Sequence, residues 1–186
     1  MTFSQVYRLL PLLLLLFLAA CSSSRVTYTS PAFSVATNQK MMPVQPFVST
    51  LVPIRLSDTV FNDFIDGVND SQTTTGISWF GIVKDDIKEL EKSLPGTHLF
   101  LNGELWSYIE NSGCCATELR IKSRLRLYRV QSRELLWEAE FPLESFFEHD
   151  NSTIDVEREK LGRRLSSEMI KEIVKALNGA RKITVE

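Results

Sequence analysis

The chain is poor in the residues that usually announce a reaction. Only two histidines and three cysteines occur among its 186 residues. His98 begins a predicted strand and His149 lies in a predicted loop, so a zinc site would need distant carboxylates to join them. Solvated or capping roles suit both better. There is no Gly-rich phosphate loop and no Gly-x-Ser-x-Gly elbow. No apolar run reaches the roughly 20 residues that a spanning helix needs. The net charge is −2, which gives no support to nucleic-acid binding or to general attraction by an anionic surface. Beyond Cys21 the only cysteines are Cys114 and Cys115, too few for a disulfide framework. These absences point away from an enzyme and call for no metal and no cofactor.

What is present begins at the amino terminus. Arg8 supplies a positive charge, and Leu9 to Ala20 is apolar, interrupted only by Pro11. The run is too short to span and ends in small residues, which is the form of a secretory signal over residues 1–20. Cys21 follows directly. Leu18-Ala19-Ala20-Cys21 resembles the lipobox of bacterial lipoproteins. The resemblance implies cleavage between Ala20 and Cys21, acylation of the Cys21 thiol with diacylglycerol, and usually acylation of the new amino terminus. Several acyl chains hold a protein on a membrane far better than one. Ser22 follows the cysteine rather than aspartate, which by the sorting rule of such lipoproteins implies the periplasmic face of the outer membrane.

Residues 21–40 read as a lipidated flexible tether, because Ser, Thr and Pro dominate and apolar residues lack a period. Val26 and Tyr28 alternate with polar residues, which leaves open a terminal strand covering a domain edge. Met41 to Val48 is the first plausible strand. Pro43 and Pro46 argue for an edge, or for pairing on one side only, and Leu51 to Ile54 extends it past a kink. Ser57 or Asp58 can cap a helix whose apolar face is Phe61, Phe64, Ile65 and Val68. Residues 72–76 read as a polar loop, Ile77 to Ile82 as a buried strand, and Val83 to Leu94 as a second helix ended by Pro95-Gly96.

Three strands follow. Thr97 to Ile109 alternates with large residues on both faces, so it is predicted to be central, and Glu110 to Ala116 forms the turn. In the next strand Leu119, Ile121, Leu125 and Leu127 share one face, and Arg120, Lys122, Arg124 and Arg126 the other. The third, Leu135 to Phe141, sets Trp137, Ala139 and Phe141 opposite in phase to Glu138 and Glu140. A loop at Gln131-Ser132-Arg133 then matches Leu127 with Trp137, Leu125 with Ala139, Arg126 with Glu138 and Arg124 with Glu140. A slip of one residue would set Leu127 against Glu138. Residues 142–150 connect to a long helix from about Ile154 to Leu177, stopped by Asn178-Gly179. Residues 181–186 read as a tail.

The expected fold is therefore α/β, with α+β character. It is a single domain over residues 41–180, with one mixed sheet of about five strands. It has a three-strand antiparallel meander, helices mainly on one face, and a long carboxy-terminal helix. Pro46-Phe47, Gly96, Asn102-Gly103-Glu104, Leu125-Arg126-Leu127-Tyr128 and Glu134-Leu135-Leu136-Trp137 carry a further resemblance. They resemble the small domain of curli-export and Pel-export lipoproteins, of lipoprotein activators of penicillin-binding proteins, and of the amino-terminal domain of TolB. That resemblance implies an assembly or adaptor role and carries over no binding residues.

Two surface features stand out. Arg120, Lys122, Arg124 and Arg126, with Trp106 and Tyr108 on the adjacent strand, have the composition of an interaction patch for an acidic partner, glycan or lipid headgroup. The alternative is a solvated face neutralised by Glu104, Glu138 and Glu140. Cys114 and Cys115 form a possible redox pair, intermolecular or switchable, since a vicinal bridge would be strained. The sequence thus predicts a non-catalytic, outer-membrane-anchored periplasmic lipoprotein. It is expected to act as an adaptor or assembly component of an export or cell-wall machine, with a protein partner or further copies of itself. The competing reading is a carrier lipoprotein for lipid, glycan or small molecule.

Overall fold

A computed structural model describes residues 25–36, 39–84, 89 and 97–182. The signal segment, Cys21, most of the second predicted helix and the last residues of the predicted tail lie outside the described residues.

The elements run β1 (Arg25–Thr29), β2 (Met41–Val44), β3 (Val48–Ser49), α1 (Ile54–Asp70), α2 (Gln72–Thr75), β4 (Trp79–Ile82), β5 (Leu99–Ser112), β6 (Ala116–Arg129), β7 (Leu135–Glu148) and α3 (Ile154–Lys182). The strands form one mixed sheet in the order β1-β7-β6-β5-β2-β4, with β3 also paired to β5. Helices α1 and α3 pack against each other and against one face of this sheet. The expected α/β architecture holds, with more strands than the sequence suggested.

The meander is its backbone. In β6 the residues Leu119, Ile121, Leu125 and Leu127 are all buried. Leu127 pairs with Trp137, Leu125 with Ala139, Arg126 with Glu138 and Arg124 with Glu140, the register read from the charges. The loop differs. Arg129 N donates to Glu134 O at 3.0 Å, while Val130 N turns away to His98 O at 2.9 Å. The connection is thus one residue longer than expected, with Arg133 at φ 56°. Strand β7 also runs through the predicted connection to Glu148. Pro142 is tolerated there because the described β1 covers only Trp137 to Glu140 of β7, leaving that side of Pro142 without a strand among the described residues.

Part of the segment expected to be a tether is built into the sheet and core. Arg25 to Thr29 pairs antiparallel with β7, and Phe33 and Val35 are buried. The alternation of Val26 and Tyr28 outweighed the Ser/Thr content. Strand β2 is not an edge: it lies between β4 and β5. Pro43 survives because β2 meets β5 at a single pair, Val44 with Leu101. The Gln39 side-chain amide supplies a nearby link instead, donating to Leu99 O at 3.3 Å.

Leu51 and Ile54 do not prolong a strand; both are highly exposed. Helix α1 starts directly after Pro53, whose φ of −53° suits a helix start, so no Ser57 or Asp58 cap is used. Its buried stripe is Leu56, Val60, Phe64 and Val68, with Phe61 and Ile65 flanking it. The predicted polar loop holds the short α2, closed by Gly76 at φ 63°. Helix α3 overrides the Asn178-Gly179 stop. Leu177 and Ala180 are both buried, and the Arg181 guanidinium donates to Gly76 O at 2.7 Å. Packing beyond the glycine outweighs its poor helix propensity.

Gly103 marks a close approach. A Cβ there would meet ring carbons of Phe47 at 2.3 Å, and Phe47 packs on Phe61 and Phe64. Valine ordinarily suits a strand better than glycine. Gly103→Val should nonetheless destabilise by about 1–3 kcal/mol, because the Phe47 ring must leave its cluster. A lowered urea midpoint with an unchanged slope is the expected readout; an unchanged midpoint would remove this account of the glycine.

Candidate functional site

The sheet face opposite the helices carries the charged residues, and the register sorts them into two halves. Toward the β6–β7 loop Arg124, Arg126, Glu104 and Glu138 are paired with one another. Arg124 Nη2 lies 2.7 Å from Glu104 Oε2. Arg126 Nε donates to Glu138 Oε2 at 2.6 Å, and Thr27 of β1 donates to the other Glu138 oxygen at 2.9 Å. Burial alone would raise the Glu138 carboxyl, but these hydrogen bonds hold it below its ordinary value. Arg124 stands opposite Glu140 in register, yet its ion pair goes across to Glu104 on β5. This half reads as the neutralised face that the sequence left as the alternative.

The half toward the β5–β6 turn is different. A bulge between Leu105 and Ser107 resets the phase of β5. Trp106 stays on the open face, with Lys122 Nζ 5.4 Å from its ring centroid. Ile109 comes opposite Arg120, and Phe146 of β7 comes opposite Glu118. Trp106 is 38% exposed, Ile109 45% and Phe146 70%. Arg120 is bound to Glu118 at 2.7 Å and approaches Glu144 at 3.5 Å. Three large apolar side chains thus flank two cations on one open surface. Ile109 and Phe146 were missed in the sequence. Phe146 falls in the segment expected to connect the meander to the long helix, and the bulge that sets Ile109 opposite Arg120 carries no sequence signal.

Tyr108 does not belong to this patch. The same bulge turns it to the helix face, opposite buried Ile121. Its hydroxyl donates to Glu110 at 2.9 Å and accepts from Arg158 Nε at 3.1 Å. Burial pushes this hydroxyl upward in pKa. Arg158 closes the triangle on Glu110 at 2.7 Å, tying the start of α3 to β5.

Two carboxylates at this junction are held below their ordinary value of 4.5: Glu110 by the hydrogen bond from Arg158, and Glu157 by those from Lys160 and Ser152. A carboxylate depressed in the native state binds fewer protons there than in the unfolded chain. Its contribution is complete above the ordinary value and fades as pH falls through the folded one. The urea midpoint should therefore hold near neutrality and drop below about pH 4.5. Glu157→Gln should lower the neutral midpoint and flatten the acid decline. An acid decline as steep as in the parent would assign it to other groups.

Cys114 and Cys115 form the tip of the β5–β6 turn as exposed free thiols, with Sγ atoms 3.2 Å apart. His149 N donates to Cys115 O, and the His149 ring bonds Thr117 Oγ1 at 2.8 Å. His98 lies at the other end of the meander, beside Val130, so the two histidines are not brought together.

A third feature is concave. At the β1 edge a groove of about 560 Å3 opens between Ser30, Phe33, Trp137 and the last turns of α3. Its walls are mostly apolar, and the ion pair Glu172–Lys175 is part of the lining. The volume lies within the usual range of ligand sites.

No family model matches the chain, and no curated protein matches it. Among solved structures it resembles the PelC dodecamer of Paraburkholderia phytofirmans, with 14% identity and a TM-score of 0.51 over 76% of this chain and 93% of that one. A variant PelC dodecamer from the same organism aligns with 12% identity and a TM-score of 0.52 over 77% and 96%. A lipoprotein of Neisseria meningitidis aligns more distantly, with 10% identity and a TM-score of 0.45 over 73% and 98%. At these identities the PelC likeness establishes a shared fold.

Proposed function

We propose that this chain is a bacterial lipoprotein, anchored through acyl chains on Cys21 at the periplasmic face of the outer membrane. In this reading it is a non-catalytic assembly component that docks on further copies of itself or on an envelope partner. The observation that carries the reading is the outer half of the open sheet face. Trp106, Ile109 and Phe146 are exposed there beside Arg120 and Lys122. Aromatic residues and arginine are enriched in protein interfaces, and exposed apolar residues gathered on one face mark contact surfaces. Support also comes from the shared fold with PelC, a protein that forms dodecamers.

The test is the mass of the full-length protein extracted from host membranes after gentle crosslinking. A defined complex that Phe146→Glu and Ile109→Arg dissolve, with unchanged thermal melting, is the expected result. A monomer with no reproducible partner would overturn the assembly role. The groove beside β1 favours a second reading, a carrier of a single apolar cargo. Lipid extracted stoichiometrically with a monomeric protein would select it.

A further inference from the structure

The described chain begins at Arg25, and Val26, its second residue, lines the groove. Only residues 22–24 separate Arg25 from Cys21. Five residue steps from Cys21 to Val26 span at most about 18 Å. The pairing of β1 with β7 therefore fixes one end of the groove within reach of any acyl chain on Cys21. The groove is apolar, open to solvent, and shaped by an aromatic pair, Phe33 and Trp137, against the small residues Ala176, Gly179 and Ala180 of α3. Small residues on a helix leave a channel that an unbranched chain fills without displacing side chains. At Gly179 an added Cβ would meet nothing within 4 Å, so the space along this turn is open. The charged pair in the lining, Glu172 and the largely exposed Lys175, suits the ester and amide end of a lipid rather than its tail.

We infer that the groove between β1 and the end of α3 receives one acyl chain of the protein's own Cys21 anchor, while the remaining chains stay in the bilayer. This rests on the lipoprotein reading above. It gives the anchor a second task, which is to fix orientation. One chain seated in the groove holds the β1 edge and the carboxy-terminal end of α3 against the membrane. The open sheet face then stands away from that contact, available to partners. An acyl chain in the groove also covers the half-exposed Val26 and the apolar wall beside it.

The experiment uses the full-length protein in its host, grown with a fatty acid carrying a photoreactive diazirine. Membranes are irradiated, and crosslinked peptides are identified by mass spectrometry. The expected result is a link from the Cys21 lipopeptide to the peptides containing Phe33 or Ala176 to Ala180, lost in Gly179→Phe, which fills the channel. Circular dichroism should show that this variant keeps its fold. Label on Cys21 with crosslinks only to bilayer lipids would overturn the inference and leave the lipoprotein reading intact. So would groove crosslinks that persist unchanged in a folded Gly179→Phe. A groove crosslink carried by a free phospholipid would overturn it in favour of the carrier reading. Absence of label on Cys21 would overturn the lipoprotein reading and this inference together.

Discussion

Cys21→Ser should abolish incorporation of labelled fatty acid into the protein. With residues 1–21 exchanged for an ordinary cleavable secretory signal, the domain should leave the membrane fraction. Each buried CH2 of an acyl chain contributes about 0.8 kcal/mol to membrane residence, so several chains give stable anchoring where one is marginal. Among the described residues no helix is long and apolar enough to cross a membrane, so no helix there would substitute for the proposed acyl anchor. The effect is expected to be close to all or none. The measurement is labelled-lipid incorporation together with carbonate-resistant membrane association. Full membrane retention of the signal-exchanged form would show that an attachment other than Cys21 holds the protein there.

Trp137→Ala should be the most damaging single change to the fold. Trp137 is 2% exposed, pairs with Leu127 on β6 and with Thr29 on β1, and forms the floor of the groove. Truncating a buried tryptophan costs about 3–5 kcal/mol, a large part of the roughly 5–15 kcal/mol that holds a domain together. Trp106→Ala is the internal comparison. That ring is 38% exposed and packs with Lys122, so its loss should cost less than about 1 kcal/mol. Denaturant midpoints of the two variants check the pair. Equal losses would mean that the open face is covered in solution, which would itself point to an occupied interface.

The two tryptophans also show where the sequence was legible. Trp137 sits in a stretch of strict alternation, and the neighbouring charges select the register of β6 on β7 that the structure shows. A slip would have buried glutamates, so the pattern had one solution. Trp106 and Tyr108 were read on one face by the same alternation, and there it failed. The extra residue at the Leu105–Ser107 bulge costs little and leaves no mark in composition, yet it sends Tyr108 to the helices and brings Ile109 out. Strand β1, left open by the sequence beside the tether reading, is hard to decide locally for a related reason. An edge strand exposed along its length needs no apolar run, and its partner lies far away in sequence. At the other end, Asn178-Gly179 is a sound local stop signal. It lost to burial of Ala180 and the Arg181 hydrogen bond to Gly76, contacts that no local reading contains. The candidate patch was visible through its cations; two of its three apolar members were not. The groove depends on three separated segments and had no sequence trace.

The pairing of β1 with β7 has one more consequence, and it concerns order in time. Thr27 finds its hydrogen-bond partner on Glu138, separated from it by 111 positions. Such a contact closes a very long loop, and contacts of this kind slow folding. An exported chain that leaves its translocation channel amino terminus first presents Arg25 to Thr29 long before β7 emerges. Strand β1 must therefore wait, without its β7 partner, until the meander exists to receive it. The seating of β1 thus follows the emergence of β7, and the sheet gains its last strand on that side only after the meander has formed.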